Sequence, residues 1–372
     1  MCKNTSTAKG TLGFSIKDLK DQMALNNELS VLDHAKIEEL LSHSSADPDK
    51  FYYVKTDNAF TRKARLLQAL RRYQSGASCG SLVKNGITYY HPNLAVNGQI
   101  TGCNFLHHEI FEYAKYRVAN KKPYETIGED RLFNNFLSSQ PMAFNLFFPL
   151  MEIVKCDEGQ TILANVVSRL VDQKKNLNIE RIFEVGVEFI PCYYKNCLND
   201  KTAMDAYFRY VTADGKKGII AIETKYTDIL GKNQASNPSL AIKTVTDNTD
   251  IAPIFTKQAK DKICKGEIEL SQVYRNFLLT ETVRVYEQLH DSISVVIAPK
   301  ENDSNDEDEK GLVESLKKEF KYKFQVIDLE TFVDALIDGF PDEPIFPRFR
   351  YRYLDFRPAE WILGRIRQSG HN

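Results

Sequence analysis

Hydrophobic positions along this 372-residue chain follow a helical period at first and a strand period later. From Ile16 to Leu41, and again from Arg62 to Tyr73, apolar residues recur every three or four positions. Leu66, Leu67, Leu70 and Tyr73 form the stripe of the second stretch, so both segments predict amphipathic helices. Residues 76–100, rich in Gly, Ser and Asn with short β-prone pieces, predict loops or a small strand pair. Helices resume over 104–118, over 127–154 with Pro141 and Pro149 as breaks, and over Thr161–Lys174. The period then shortens. Strands are predicted at Arg181–Ile190, Met204–Thr212 and Gly218–Lys225, and helices at about 254–264 and 267–289. A strand at Ile293–Ala298, a helix near 310–320, a strand at Lys323–Ile327 and a helix at Leu329–Asp338 follow. Residues 301–310 hold six acids and no apolar side chain, which predicts a solvated loop. This order of elements predicts an α/β core with a mixed sheet flanked by helices, preceded by a mainly helical N-terminal region. The expected boundaries are 1–125 for that region, 126–340 for the core and 341–372 for a basic, aromatic tail.

Chemistry concentrates between Ala203 and Asp228. Asp205 lies on one apolar run, Asp214-Gly215 marks a hairpin turn, and Glu223-Thr224-Lys225 ends the next run. Side chains alternate along a strand, so Glu223 and Lys225 share a face and Thr224 takes the other. A plain two-residue turn at Asp214-Gly215 would pair Asp205 with Thr224, on the wrong face; an odd-length connection or a bulge pairs it with Glu223 or Lys225. Such a connection is therefore expected between Val211 and Gly218. The mundane reading of the three residues is a cross-strand ion pair on an exposed face.

An aspartate followed at hairpin distance by Glu-x-Lys resembles the catalytic core of the PD-(D/E)XK nuclease superfamily. Glu319-Phe320-Lys321 has the same short spacing but no acid on a partner strand. The stretches 64–72, 131–147 and Gln272-Val273-Tyr274-Arg275-Asn276 are similar to a restriction-endonuclease-like bacterial branch of that superfamily, and the resemblance extends over roughly residues 60–340. Met204 stands before Asp205, where the superfamily name carries a proline. The resemblance implies Mg²⁺-dependent hydrolysis of DNA phosphodiesters, with Mn²⁺ as an alternative ion. It makes Asp205, Glu223 and the Thr224 carbonyl the metal ligands and Lys225 the catalytic ammonium. Hard oxygen donors suit such a cation, and two adjacent carboxylates would hold Lys225 positive. Glu188, at the end of the preceding strand, is the candidate to complete the acidic cluster; Glu184, on the same face, competes with it. Gln272 and Arg275, one helical turn apart, either reach the site or DNA or form polar helix surface.

Composition limits the rest. The formal net charge is −1, so any nucleic-acid surface has to be local. Arg65, Arg71 and Arg72, together with Arg62, are candidates for DNA contact or for solvated surface. In Arg348–Tyr353 arginines alternate with aromatics, which reads as a half-buried edge strand whose basic face either contacts phosphates or meets water. His107-His108-Glu109 lacks the i, i+4 histidine pair of a zinc helix and reads as surface or as side chains that support a site without ligating a metal. The seven cysteines show no zinc-type spacing; reduced thiols and a cytoplasmic location are the default. Phe144–Val154, the longest apolar stretch, is too short to span a bilayer, and Met1–Gly10 lacks a signal-peptide core. The function expected is an endonuclease of restriction or defence type, with DNA and a second copy of the chain as candidate partners and no membrane. A repair or recombination exonuclease, or a catalytically silent nucleic-acid-binding module of the same fold, are the alternatives.

Overall fold

The computed structural model describes residues 56–84, 86–171, 175–227, 238–303, 306–360 and 363. The helix expected over Ile16–Leu41 lies outside them. The chain divides into two compact units, one of residues 1–116, 129–141 and 340–372, the other of residues 117–128 and 142–339. The described residues 340–360 belong to the first of these units.

In chain order the elements are α1 (Ala59–Gln74), β1 (Cys79–Lys84), β2 (Ile87–Ala95), α2 (Gly98–Thr101), α3 (His108–Ala119), α4 (Glu129–Asn134), α5 (Ser139–Ile153) and α6 (Asp157–Val171). They continue with β3 (Ile179–Phe189), β4 (Met204–Thr212), β5 (Lys217–Thr224), α7 (Pro238–Thr246), α8 (Lys257–Cys264), α9 (Gln272–Tyr286) and β6 (Asp291–Ala298). The last are α10 (Asp306–Ser315), β7 (Phe324–Asp328), α11 (Leu329–Gly339) and α12 (Ile345–Leu354).

In the first unit, Asn58 caps α1 by accepting the Thr61 N–H at 2.7 Å, and Leu66, Leu67 and Leu70 turn inward as their spacing requires. β1 and β2 pair antiparallel, with Gly86 at φ 75° in the turn. The segment expected to be an edge strand at Arg348–Tyr353 is instead part of α12. Its buried residues Ile345, Phe346, Phe349, Arg352 and Tyr353 fall at one-, three- and four-residue steps, a helical stripe that the arginine–aromatic alternation obscures. Pro344 and Pro347 sit where a helix start tolerates them.

The second unit is built on a five-stranded sheet in the order β3-β4-β5-β6-β7. The first three strands form an antiparallel meander, and β6 and β7 join parallel to β5. Central β5 is buried along its length after Lys217, which explains its unbroken apolar run. On one face Ile219, Ala221 and Val296 pack with Phe277, Leu278 and Val283 of α9. On the other, Phe147 of α5 meets Phe208 of β4 and Phe332 of α11. Pro149 lies inside α5 without ending it, because this helix is apolar and buried nearly all round and packing outweighs the lost hydrogen bond. The acidic run expected to be a loop enters α10 from Asp306 onward; acids in a first helical turn are favoured by the helix dipole. Among the described residues no helix is long and apolar enough to cross a membrane.

Candidate active site

Two strand registers put three acids in a row. Thr212 and Lys216 close the β4–β5 hairpin: the Thr212 N–H reaches the Lys216 carbonyl at 2.9 Å and the Gly215 N–H reaches the Thr212 carbonyl at 2.8 Å. Gly215 has φ 79°, so the connection is a turn followed by a left-handed glycine, and three residues separate the closing pair. This odd count sets Ala206 opposite Ile222, and one step further the same register sets Asp205 opposite Glu223. On the other side of β4, Val187 faces Ala206 and Phe189 faces Met204, so Glu188 falls opposite Asp205.

Glu223 is held from three directions. Lys225 Nζ lies 2.6 Å from its Oε1, Gln272 Nε2 donates to the same oxygen at 2.9 Å, and Asn276 Nδ2 donates to Oε2 at 2.6 Å. Gln272 also accepts from Lys225 through Oε1 at 3.4 Å, so one amide orders both charges. Gln272 and Asn276 are four residues apart on α9 and therefore project together at the end of β5. Asp205 accepts from the Thr224 N–H at 2.8 Å and from the Thr224 hydroxyl at 2.9 Å. Glu223 and Lys225 are both buried. Burial, and then the charge of Asp205, push the Glu223 carboxyl up to about 7, against the opposing pull of Lys225 and the hydrogen bond from Asn276.

The donor set fits a hard divalent cation. Two carboxylates on adjacent strands supply oxygen donors, and the raised Glu223 carboxyl marks buried negative charge that a cation would offset. Among the described residues no group of three or more His, Cys, Asp and Glu side chains is arranged to hold a metal.

Glu188 is buried and sits at φ 53°, a left-handed conformation that costs a non-glycine residue on the order of 1 kcal/mol. Arg117 stabilises it: its guanidinium donates to the carbonyls of Val187 and Glu188 and pairs with Glu125 at 3.1 Å. Glu188→Gly is accordingly expected to raise stability by about 1 kcal/mol while lowering cleavage. Thermal melts beside a cleavage assay check this; a less stable variant with full activity would make Glu188 a packing residue.

Glu184 is engaged elsewhere. It pairs with Arg209 in register, accepts from the Tyr207 hydroxyl at 2.6 Å and lies 3.5 Å from Arg209 Nε. The Tyr207 ring crosses β3 at Gly186, where any Cβ would come within 2.2 Å of it, so Glu184 and Glu188 are kept apart. Arg275 is not brought to Glu223; it faces buried Asp200 at 3.8 Å. Asn276, by contrast, reaches Glu223 although only Gln272 and Arg275 stand out by sequence; its i, i+4 spacing from Gln272 was the available signal. Arg65, Arg71 and Arg72 are occupied within their own unit. Arg65 binds Asp57 at 2.6 and 3.0 Å, Arg71 donates to the Tyr351 carbonyl at 2.9 Å and stacks on its ring, and Arg72 donates to the carbonyls of Pro92 and Ala77. Arg71 and Arg72 are each 4% exposed, which leaves little surface for phosphate. Arg352 is likewise buried, donating to Gln68 and Asn104 over the Phe136 ring. His108 is mostly exposed and the cysteines within the described residues are free.

No curated protein and no solved structure gives a match to this chain. A family model described as the PD-(D/E)XK nuclease superfamily matches residues 55–355, most of the chain and all of the sheet. Members of this superfamily generally use divalent metal ions to cleave nucleic acids. The mixed sheet flanked by helices agrees with that match. The chain belongs to the PD-(D/E)XK nuclease superfamily.

Proposed function

We propose that the protein is a metal-dependent deoxyribonuclease, an endonuclease of restriction or defence type. The observation that carries this reading is the buried Glu223–Lys225 pair at 2.6 Å, with Asp205 opposite Glu223 on the neighbouring strand. An ordinary surface ion pair would be solvated and weak; this one is desolvated, adjoined by a second acid and fixed by two helix amides. The choice of DNA and of a defence role rests on the similarity of residues 64–72, 131–147 and 272–276 to the restriction-endonuclease-like branch.

Asp205, Glu223 and the Thr224 carbonyl would hold Mg²⁺ or Mn²⁺. When bound, the cation supplies Lewis acidity at the phosphate and a water of lowered pKa. Lys225 places a positive charge where negative charge develops on the reacting phosphate and orients the attacking water. Gln272 keeps that ammonium and the Glu223 carboxylate in fixed relation, and Asn276 holds the second Glu223 oxygen. Glu188 adds a third carboxylate across Asp205, to orient water or a metal-bound ligand. Burial of Glu223 and Lys225 strengthens their electrostatic contributions.

Supercoiled plasmid incubated with and without Mg²⁺, using wild type beside Asp205→Ala, tests the assignment. Nicked or linear product that requires Mg²⁺ and disappears in the variant is expected. Cleavage surviving Asp205→Ala would remove the site, and degradation restricted to linear ends would replace the endonuclease with the exonuclease reading.

A further inference from the structure

Arg65, Arg71 and Arg72 of α1 are occupied within their own unit, and a local concentration of other cations lies far from Glu223. A polar groove at the hairpin end of the sheet is lined by Lys175, Asn176, Asn178, Lys216, Lys217 and His290, with Asp214 as its one carboxylate. Three lysines against one aspartate leave a surplus of two positive charges in a chain whose formal net charge is −1.

The neighbouring ion pairs do not consume that surplus. Below the groove, Lys323 is buried between Asp291 at 2.6 Å and Glu281 at 3.0 Å, and Arg284 holds the other Glu281 oxygen at 2.6 Å. Two carboxylates and two cations already balance in this interior network. Tyr322 also donates to Asp291 at 2.8 Å, so the acid is well solvated by protein donors. Lys175 lies 3.5 Å from Asp291, donates to the Tyr322 hydroxyl at 2.5 Å and is 47% exposed, so its charge adds to an interior network that already balances while its ammonium keeps access to the groove. Lys216 meets Asp214 at 2.7 Å, but both side chains are about half exposed, and such a pair is weak enough to yield to a phosphate. Lys217 is exposed at the start of β5, where its ammonium lies 5.9 Å from the Phe183 ring centroid and also borders a groove with Glu184, Arg209 and Glu287, and the His290 backbone N–H donates to its carbonyl at 2.9 Å.

We infer that this groove binds backbone phosphates of a nucleic acid, at a second contact remote from the catalytic cluster. Lys217 and Thr224 end the same strand, seven residues apart, which is roughly 23 Å at the usual rise of a strand. Duplex DNA covers that span in roughly seven base pairs, so a substrate of ordinary length is long enough to reach both ends. The inference rests on the nuclease reading for its choice of ligand, and its test is independent of cleavage.

Binding of metal-free protein to a fluorescent duplex of about 24 base pairs, followed by anisotropy between about 50 and 200 mM salt, reads the contact directly. The double variant Lys216→Gln with Lys217→Gln is expected to bind roughly 10-fold more weakly at the low-salt end, with a salt slope shallower by about two. Lys216→Arg with Lys217→Arg is expected to bind as wild type does, since a phosphate needs the charge and not the ammonium. Unchanged affinity and slope in the glutamine pair would overturn the inference, and so would a loss that arginine fails to restore. Lost binding of tripolyphosphate with duplex binding intact would assign the groove to a small anion and overturn it as well. Cleavage by a protein whose groove variants bind DNA normally would leave the nuclease reading standing without this site.

Discussion

Lys225→Met is expected to lower the rate of plasmid cleavage by roughly 10²–10³-fold, a barrier increase of about 3–4 kcal/mol, while Mg²⁺ binding is retained. Methionine preserves the apolar stem that packs at the end of β5 and removes only the ammonium. Glu223 would still be held by Gln272 at 2.9 Å and by Asn276 at 2.6 Å, so its carboxylate stays in place for the cation. The ammonium also occupies Glu223 Oε1 at 2.6 Å, and its removal frees that oxygen, so metal affinity should hold or rise. Single-turnover cleavage together with a Mg²⁺ titration separates the two effects. A rate within about threefold of wild type would reduce Lys225 to a structural counter-ion, since a charge aimed at the reacting phosphate is worth far more than that.

What the sequence disclosed about this site follows from how far each signal acts. The hairpin was legible because Asp214-Gly215 and the alternation on both sides are local, and the need to pair Asp205 with Glu223 demanded an odd-length connection, which Gly215 at φ 79° provides. The mixed sheet was legible for the same reason, as period and run length separate its strands from its helices. Glu188 could be placed only at a strand end, because β3 shifts register twice, between Ile179 and Arg181 and between Ile182 and Glu184; neither bulge has a glycine to announce it. The competition between Glu184 and Glu188 is decided by the fold, in which the Tyr207 ring crosses β3 at Gly186, between them.

Arginine was the least legible residue type. Along α1 its spacing is the same whether guanidinium groups face phosphate, water or the carbonyls of Pro92 and Tyr351, since those partners are distant in sequence. The same holds in α12, where Arg352 reaches Gln68 and Asn104. Long side chains that bury their stems and satisfy their heads internally leave no trace in a local pattern. Lysines at a strand end and a loop, such as Lys216 and Lys217, stay exposed because no element covers them.

The electrostatics of the metal-free site lead to a second large effect, on stability and not on rate. Glu223 is pushed up to about 7 in the folded protein, first by burial and then by the charge of Asp205, whereas an unfolded glutamate titrates near its ordinary value of about 4.3. The folded state thus holds its proton more tightly than the unfolded state does. The associated stability is fully present below about pH 4 and is lost as pH rises through about 7, a decline on the order of 3 kcal/mol for a fully buried group. Asp205→Asn removes the second cause of the shift while its side-chain oxygen still accepts from the Thr224 N–H and hydroxyl. The metal-free variant is therefore expected to match wild type near pH 5 and to be more stable by about 1 kcal/mol near pH 8, a rise of about 1–2 °C in melting temperature. Addition of Mg²⁺ at pH 8 should raise the melting temperature of wild type and leave the variant nearly unmoved, because binding to the folded state alone stabilises in proportion to ligand occupancy. Thermal melts at the two pH values, each with chelator and with Mg²⁺, measure all four cases. If Asp205→Asn were less stable than wild type by the same amount at both pH values, Asp205 would be acting only as a hydrogen-bond acceptor for Thr224, and the repulsion between two acids that a cation is meant to relieve would be absent.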